Sequence, residues 1–386
     1  MRLRTALFWT HLAVGVVAGL FILNMAASGI LIAYAKPVTA WAERSQKIVA
    51  VPAEAKPLEV EALVAKVHAA RPQAHLSGIV RYADPAAAAM FYVGRDNNVI
   101  YANPYTGEIT GEGRKPVRGF FQFVTSWHRW LALQGPARPI GQAITGVVAL
   151  AYFGLLFSGL LLWLPKKWSW VRVKQGALPS LKLRGRAANW SWHNAAGLWT
   201  SPLLLLVTLT AIIMSYNLAG NLLYSLTGNP VPPPRQERGG RDANGPAQID
   251  VEGLNPLWAQ AEKQVPGWHS ISLRFSSSDN AMFLIDRGDG GRPDTTASLA
   301  INWDSDEVVR WQPYEKQNAG QKLRAWVRPI HTGEAGGIPG ETVAVIAALG
   351  GITLVWSGLS MALRRFFGAR TSEPVFLSQP SPSSPL

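Results

Sequence analysis

The chain has no cysteine among its 386 residues. That excludes a disulfide framework, an iron–sulfur cluster and thioether-attached haem, so a redox cofactor would need other ligands. Acid is also scarce, with 24 Asp and Glu against 37 Lys and Arg, a net charge of +13. The excess is not a nucleic-acid footprint, because it clusters beside long apolar runs, where positive-inside bias places it. No glycine-rich dinucleotide fingerprint lies in a strand–turn–helix context. The polar stretches between the inner ends of the runs are too short for a flavin or nicotinamide domain.

What is abundant is apolar. Hydrophobic residues make up 48% and mean hydropathy is +0.08, high for a chain with two large polar segments. Four runs, at 8–35, 139–164, 194–217 and 339–363, each exceed the roughly 20 residues that a helix needs to cross a bilayer. Tryptophan, present 16 times, flanks them at Trp9, Trp41, Trp163, Trp168, Trp190 and Trp326, as expected of an interfacial belt. The first run is about twice a signal-peptide core of ~7–15 residues, and it carries His11 and Asn24. It is expected to stay as a membrane helix.

Charge sets the orientation. The 165–189 loop holds Lys166, Lys167, Arg172, Lys174, Lys182, Arg184 and Arg186 with no acid, and Arg364, Arg365 and Arg370 follow the last run. Both termini and this loop are expected in the cytoplasm of a multi-pass inner-membrane protein, with 36–138 and 218–338 in the periplasm. Each outer segment reads as a small α+β domain. Helices are predicted at 58–71 and 253–265, and strands at 76–82, 89–94, 98–102, 270–276 and 281–286. The Pro/Gly/Arg-rich stretch 229–246 reads as a linker, and 371–386 as a disordered tail. The predicted division is therefore 1–35, 36–138, 139–164, 165–193, 194–217, 218–338, 339–363 and 364–386.

An internal repeat organises these parts. A shift of 182 residues lays His11 on His193, Gly15 on Gly197, Ile30 on Ile212 and Tyr34 on Tyr216. The second and fourth runs also align: the step from Gly141 to Ser158-Gly159 equals that from Gly340 to Ser357-Gly358, and a histidine precedes each, His128 and His331. The unit is a helix with an early histidine, an outer domain, a histidine and a second helix. Two such units starting on the same side are parallel repeats about an axis along the membrane normal.

Ionisable groups inside a span are rare and usually functional. The repeat axis would bring His11 opposite His193 and His128 opposite His331. Each pair could ligate one iron from two sides, with Gly15, Gly19, Ala196 and Gly197 leaving room for a flat macrocycle. Along a helix, the 23 residues from His11 to Tyr34 span roughly 34 Å, so the pairs lie near opposite membrane faces. Zinc would want four clustered ligands, or three and a water, whereas these histidines come in twos. Two noncovalent b-type haems are expected. Arg129 and Arg328 could meet haem propionates or an anionic substrate, while His68, His75 and His269 read as surface residues.

The segments FWTHLAVGVVAG, SWHRWLAL, SWHNAAGLW and RPIHTGEAGG, around two PepSY-like outer domains, resemble the PepSY-associated transmembrane proteins, within them the FoxB-type di-haem ferric-siderophore reductases. The resemblance covers nearly the whole chain. It implies an inner-membrane oxidoreductase that passes electrons outward to a ferric siderophore or other ferric chelate, with His11, His193, His128 and His331 as haem ligands. The donor would be a quinol, a soluble reductant or a partner protein. Two other classes remain open: a membrane-anchored PepSY-like module that binds or regulates a periplasmic peptidase, and a transporter. An anchor needs no histidine in its helices. A transporter would show broken helices and midplane polar groups, for which Asn24 is thin support.

Overall fold

The computed structural model describes residues 2–54, 56–94, 98–165, 167–233, 252–275 and 279–367. Most of the linker at 229–246 and all of the tail at 371–386 lie outside these. Among the described residues four helices are long and apolar enough to cross a membrane. They are α1 (Arg2–Ala33), α4 (Arg138–Trp163), α5 (Gly185–Ser215) and α8 (Gly337–Phe367), the labels following chain order with the helices introduced below. Three begin or end several residues beyond the apolar runs. Their basic ends (Arg2, Arg4, Arg186, Arg364, Arg365) continue the helical hydrogen bonding past the hydrocarbon-length core, which apolar length alone does not mark.

Helices α1 and α5 each pack against both α4 and α8. The bundle is therefore a ring in which α1 and α5 stand diagonally across the centre. Small side chains permit the close approach: Ala18 and Ile22 of α1 are buried against Val148 of α4 and Val355 of α8.

At one end of the bundle the two polar segments meet in one antiparallel sheet, β4-β3-β2-β1-β5-β6-β7-β8. The first segment supplies β1 (Leu76–Tyr82), β2 (Ala89–Val93), β3 (Asn98–Ala102) and β4 (Ile109–Glu112). The second supplies β5 (Ser270–Arg274), β6 (Asn280–Asp286), β7 (Thr296–Asn302) and β8 (Val308–Pro313). The sequence led us to expect a small α+β domain in each segment; instead the two are fused edge to edge. The reason is that β1 and β5 would otherwise each expose an unpaired edge. They pair in register from Gly78↔Arg274 to Tyr82↔Ser270. A Cβ on Gly78 would come within 2.6 Å of the Leu273 carbonyl, so this seam requires glycine there.

One core serves both halves. Helices α2 (Val60–Ala70) and α6 (Leu254–Gln264) lie side by side on one sheet face. They bury Leu63, Val64, Leu257 and Trp258 against Ile79, Phe91, Leu273 and Phe283. Their starts are cross-tied, since the Glu61 amide donates to Asn255 and the Asn255 amide to Glu61, both at 3.0 Å.

Between sheet and bundle run two amphipathic helices that the sequence reading did not resolve, α3 (Lys115–Trp130) and α7 (Ala319–Thr332). Their polar faces interrupt the apolar pattern, so they read as part of the outer segments. The start of α3 is anchored through the buried carboxylate of Glu43. That carboxylate accepts hydrogen bonds from Arg118 Nε (2.6 Å) and Nη2 (2.7 Å), the Tyr101 hydroxyl (2.8 Å) and the Arg114 amide (2.8 Å). Burial alone would push the Glu43 carboxyl up. The bonds from Arg118, Tyr101 and the Arg114 amide outweigh it, and the group titrates below the usual carboxylate range.

A depressed folded-state value means that Glu43 contributes stability above its unfolded value of about 4.3, lost as pH falls through the lower folded value. Arg118→Ala leaves that carboxylate buried and unpaired. It is expected to cost about 3–5 kcal/mol, read as a lower apparent Tm of detergent-purified protein at neutral pH. The difference between variant and parent should narrow once the pH is low enough to protonate Glu43. An unchanged Tm at neutral pH would show that the network is not load-carrying for the fold.

Candidate functional site: two facing histidine pairs

His11 on α1 and His193 on α5 face each other across the bundle, with ring centroids 6.4 Å apart and planes at 88°. His128, near the end of α3, and His331, near the end of α7, face each other at 6.3 Å and 61°. The first pair lies toward the bundle end remote from the sheet, the second at the sheet end. The structure thus brings together both pairs that the repeat pointed to. His68 and His75 are exposed, and His269 lies edge-on to Tyr82 in the sheet domain.

The ring spacing has a simple geometric meaning. A metal–imidazole bond of about 2 Å, plus about 1.1 Å from ring nitrogen to ring centre, taken twice, gives roughly 6.2 Å. Two imidazoles ligating one ion from opposite sides would stand this far apart. In direct contact they would also leave no plane between them for four equatorial ligands. Among the described residues no group of three or more His, Asp or Glu side chains could hold a metal ion alone. The donor set is two nitrogens per site, which fits an ion that brings its remaining ligands with it.

Each ring is held at Nδ1, so Nε2 is the nitrogen left to ligate. The Nδ1 partners are the hydroxyls of Ser158 for His11 (2.8 Å), Ser357 for His193 (3.0 Å), Ser28 for His128 (2.9 Å) and Thr210 for His331 (3.1 Å). His331 Nδ1 also lies 3.0 Å from the Val207 carbonyl. Glycines sit beside the rings. A Cβ on Gly159 would stand 3.4 Å from His11, one on Gly358 3.3 Å from His193, and one on Gly29 3.5 Å from His128.

Around the His11–His193 pair opens a cavity of about 1030 Å³, at the upper end of the range for cofactor pockets. Gly15, Gly19 and Gly197 line it, and Arg4, Arg186 and Arg365 lie at its wall. Arg365 spreads over Phe8 and Trp9, and Arg4 caps the end of α4 through the carbonyls of Leu162 (2.6 Å) and Leu164 (3.0 Å). Sequence reading missed these three cations for this site. Arg186 and Arg365 read along the chain only as topology signals; the shift of 182 residues lays Arg4 on Arg186, each seven residues before its histidine, and that was a usable hint.

At the sheet-end pair, burial first and then the His331 ring lower the His128 imidazole to about 4. Burial lowers the His331 imidazole too, so both settings favour the neutral ring, the form that ligates. Arg129 lies over the Trp130 ring at 4.8 Å, and Arg138 over the same ring at 4.2 Å. Burial and the charges of Arg138 and Arg328 together disfavour the Arg129 cation, so this corner would welcome an anion. Arg328 is partly committed, reaching Glu334 at 3.3 Å, which also takes Lys36 at 2.7 Å.

Helix crossings fix where the sheet-end rings stand. A Cβ on Gly141 of α4 would run into the Trp130 carbonyl, two residues past His128; one on Gly340 of α8 would run into the Gly333 carbonyl, two past His331. Asn24 of α1 accepts from the Trp127 indole N–H, beside His128. Asn24 is thus a helix-to-helix tie.

A family model described as the PepSY-associated TM region matches residues 8–365. No match is found among curated proteins.

Gly141→Val should push α3 off α4 and move His128. The expected result is a changed imidazole environment at His128 and His331 with that of His11 and His193 unchanged, read by NMR of histidine-labelled protein. An equal change at both pairs would mean that the crossing supports the whole bundle rather than this site.

Proposed function

We propose that this chain, which belongs to the PepSY-associated TM-region family, is a haem-dependent electron carrier of the inner membrane that reduces a ferric siderophore or similar ferric chelate on the outer side. One observation carries the reading: two pairs of imidazoles, each at bis-ligating spacing with Nε2 free, one pair at each end of the spanning bundle. On helix α1 the distance from His11 to Ser28, which holds His128, is 17 residues, or about 25 Å. The same count separates His193 from Thr210 on α5. The two units are read as parallel repeats.

A b-type haem at each pair would supply reversible one-electron Fe(III)/Fe(II) chemistry. His11 and His193 would hold the one nearer the cytoplasm; His128 and His331 the one nearer the outer face. Arg4, Arg186 and Arg365 could neutralise propionates at the inner site, and Arg129, Arg138 and Arg328 at the outer. Apolar side chains such as Leu12, Leu155 and Leu359 line much of the inner site, where they would lower the local dielectric around the ligated ion. The one-electron donor would be a quinol, a soluble reductant or a partner protein, and the acceptor's Fe(III) becomes Fe(II). Hard oxygen donors hold Fe(II) less tightly, which favours release. In this reading the sheet domain faces the periplasm, and both termini and the 165–189 loop face the cytoplasm; the seven basic residues of that loop support it.

A second reading, a membrane-anchored binding module acting on a periplasmic peptidase, is favoured by a separate cleft of about 400 Å³ at the seam of the half-sheets, walled by Arg81, Tyr82, Tyr105 and Trp268. Haem content separates the two readings.

Purified protein from haem-replete cells should show a b-type Soret band and up to two haems per chain. Replacing His11 or His193 by Ala should remove one, and replacing His128 or His331 the other. Either change should stop transmembrane reduction of a ferric chelate, followed with an Fe(II)-specific dye in oriented vesicles. A colourless wild-type protein would overturn the proposal in favour of the binding module. Reporter fusions at residues 175 and 386 should both score inside; an outside score at either would reverse the orientation.

A further inference from the structure

We infer that Ser158, Ser357, Ser28 and Thr210 are positioning residues that fix all four imidazoles in the tautomer with the proton on Nδ1, so that Nε2 presents its lone pair to the gap. The inference rests on the haem reading above and deepens it, since it concerns residues other than the ligands.

The argument is a proton count. Each of these hydroxyls has one hydrogen, and each already has a carbonyl of its own helix to give it to. Ser28 Oγ is 2.7 Å from the Asn24 carbonyl, Ser158 Oγ 3.1 Å from that of Leu155, Ser357 Oγ 2.6 Å from that of Thr353, and Thr210 Oγ1 2.7 Å from that of Val207. Within an apolar span no water competes for that hydrogen, and back-bonding to the preceding turn is the favoured rotamer. The oxygen then offers only lone pairs to the histidine, so a short Nδ1–oxygen contact requires the hydrogen to be on Nδ1. With the other tautomer two lone pairs would oppose each other at about 3 Å, and an N–H would point at the metal position. A ligating imidazole whose N–H donates to a fixed acceptor is more basic and cannot rotate.

The arrangement recurs at every ligand. Ser158 on α4 holds His11 on α1, and Ser28 on α1 holds His128 on α3; Ser357 on α8 holds His193 on α5, and Thr210 on α5 holds His331 on α7. Every one of these bonds stays within one half of the chain, while each gap lies between halves. Orientation is therefore set before the halves meet around the ligand. Backbone carbonyls assist at three of the rings: Met25 beside His128, Leu354 beside His193, and Val207 at 3.0 Å from His331. Each is a further acceptor and so favours the same tautomer.

The test uses the full-length protein with Ser158→Ala, Ser357→Ala, Ser28→Ala, Thr210→Val and Thr210→Ser. The readouts are haem affinity of the haem-depleted protein titrated with hemin, the midpoint potential of each haem and its low-spin EPR signature. Ser158→Ala and Ser357→Ala should weaken only the inner haem, and Ser28→Ala only the outer, by about 10- to 100-fold in affinity. Each should shift its potential positive, because a less basic ligand favours Fe(II). Thr210→Val should also weaken only the outer haem, and Thr210→Ser should match the parent. Two bound haems in the parent, with unchanged affinity, potential and EPR in all three Ser→Ala variants, would overturn the tautomer role and leave the haem reading standing. A parent that binds no haem would overturn both.

Discussion

An imidazole inside an apolar bundle must satisfy two ring nitrogens with no water to help. The rest of this structure follows from how that demand is met. At each histidine one nitrogen is answered by a hydroxyl of the neighbouring helix, and the rings of each pair stand opposite each other across a gap. A fully packed core would have closed such gaps with side chains. Here they persist because glycine occupies the helix positions beside the rings, and because the ring-bearing helices α1 and α5 are kept diagonal by α4 and α8.

The sheet extends this constraint beyond the bundle. Pairing of β1 with β5 joins the two halves by backbone hydrogen bonds that any shift in register would break. The shared core on one sheet face makes that seam costly to open. Below it, α3 and α7 hang between sheet and bundle, and each delivers a histidine at its last turn. Glu43 ties the start of α3 to β3 and to the segment leaving α1, while the Gly141 crossing fixes its end. The His128–His331 spacing is therefore set by two rigid supports, one on either side of the rings.

The two ends also differ in their electrostatics. Around His11 and His193 the cations are spread over aromatic rings and helix carbonyls, and they border a large apolar cavity. Around His128 and His331 three guanidiniums crowd together, with Arg328 shared with Glu334. Dispersed, compensated charge suits a closed site. Crowded cations at a surface suit a site that meets anions arriving from solution.

Chain spacing alone determined much of this protein. Apolar run length gave the four spans, because crossing hydrocarbon requires a fixed length of helix whatever surrounds it. The shift of 182 residues singled out His11 with His193, and the matched contexts of His128 and His331 did the same for the second pair. Period-two patterns located β1 and β2 almost to the residue. These are local or periodic properties, so they are written along the chain. What the tertiary structure decided are the relations between segments. Ser158 and Ser357 stood in the repeat as alignment marks, yet nothing along the chain said that a hydroxyl 147 residues away holds His11. Arg186 and Arg365 announced orientation, but only packing put them, with Arg4, round one cavity. The two sheet halves read as separate because strand edges carry no signal for the partner they choose. Partner choice depends on which surfaces the bundle brings within reach, and that is a property of the assembled fold.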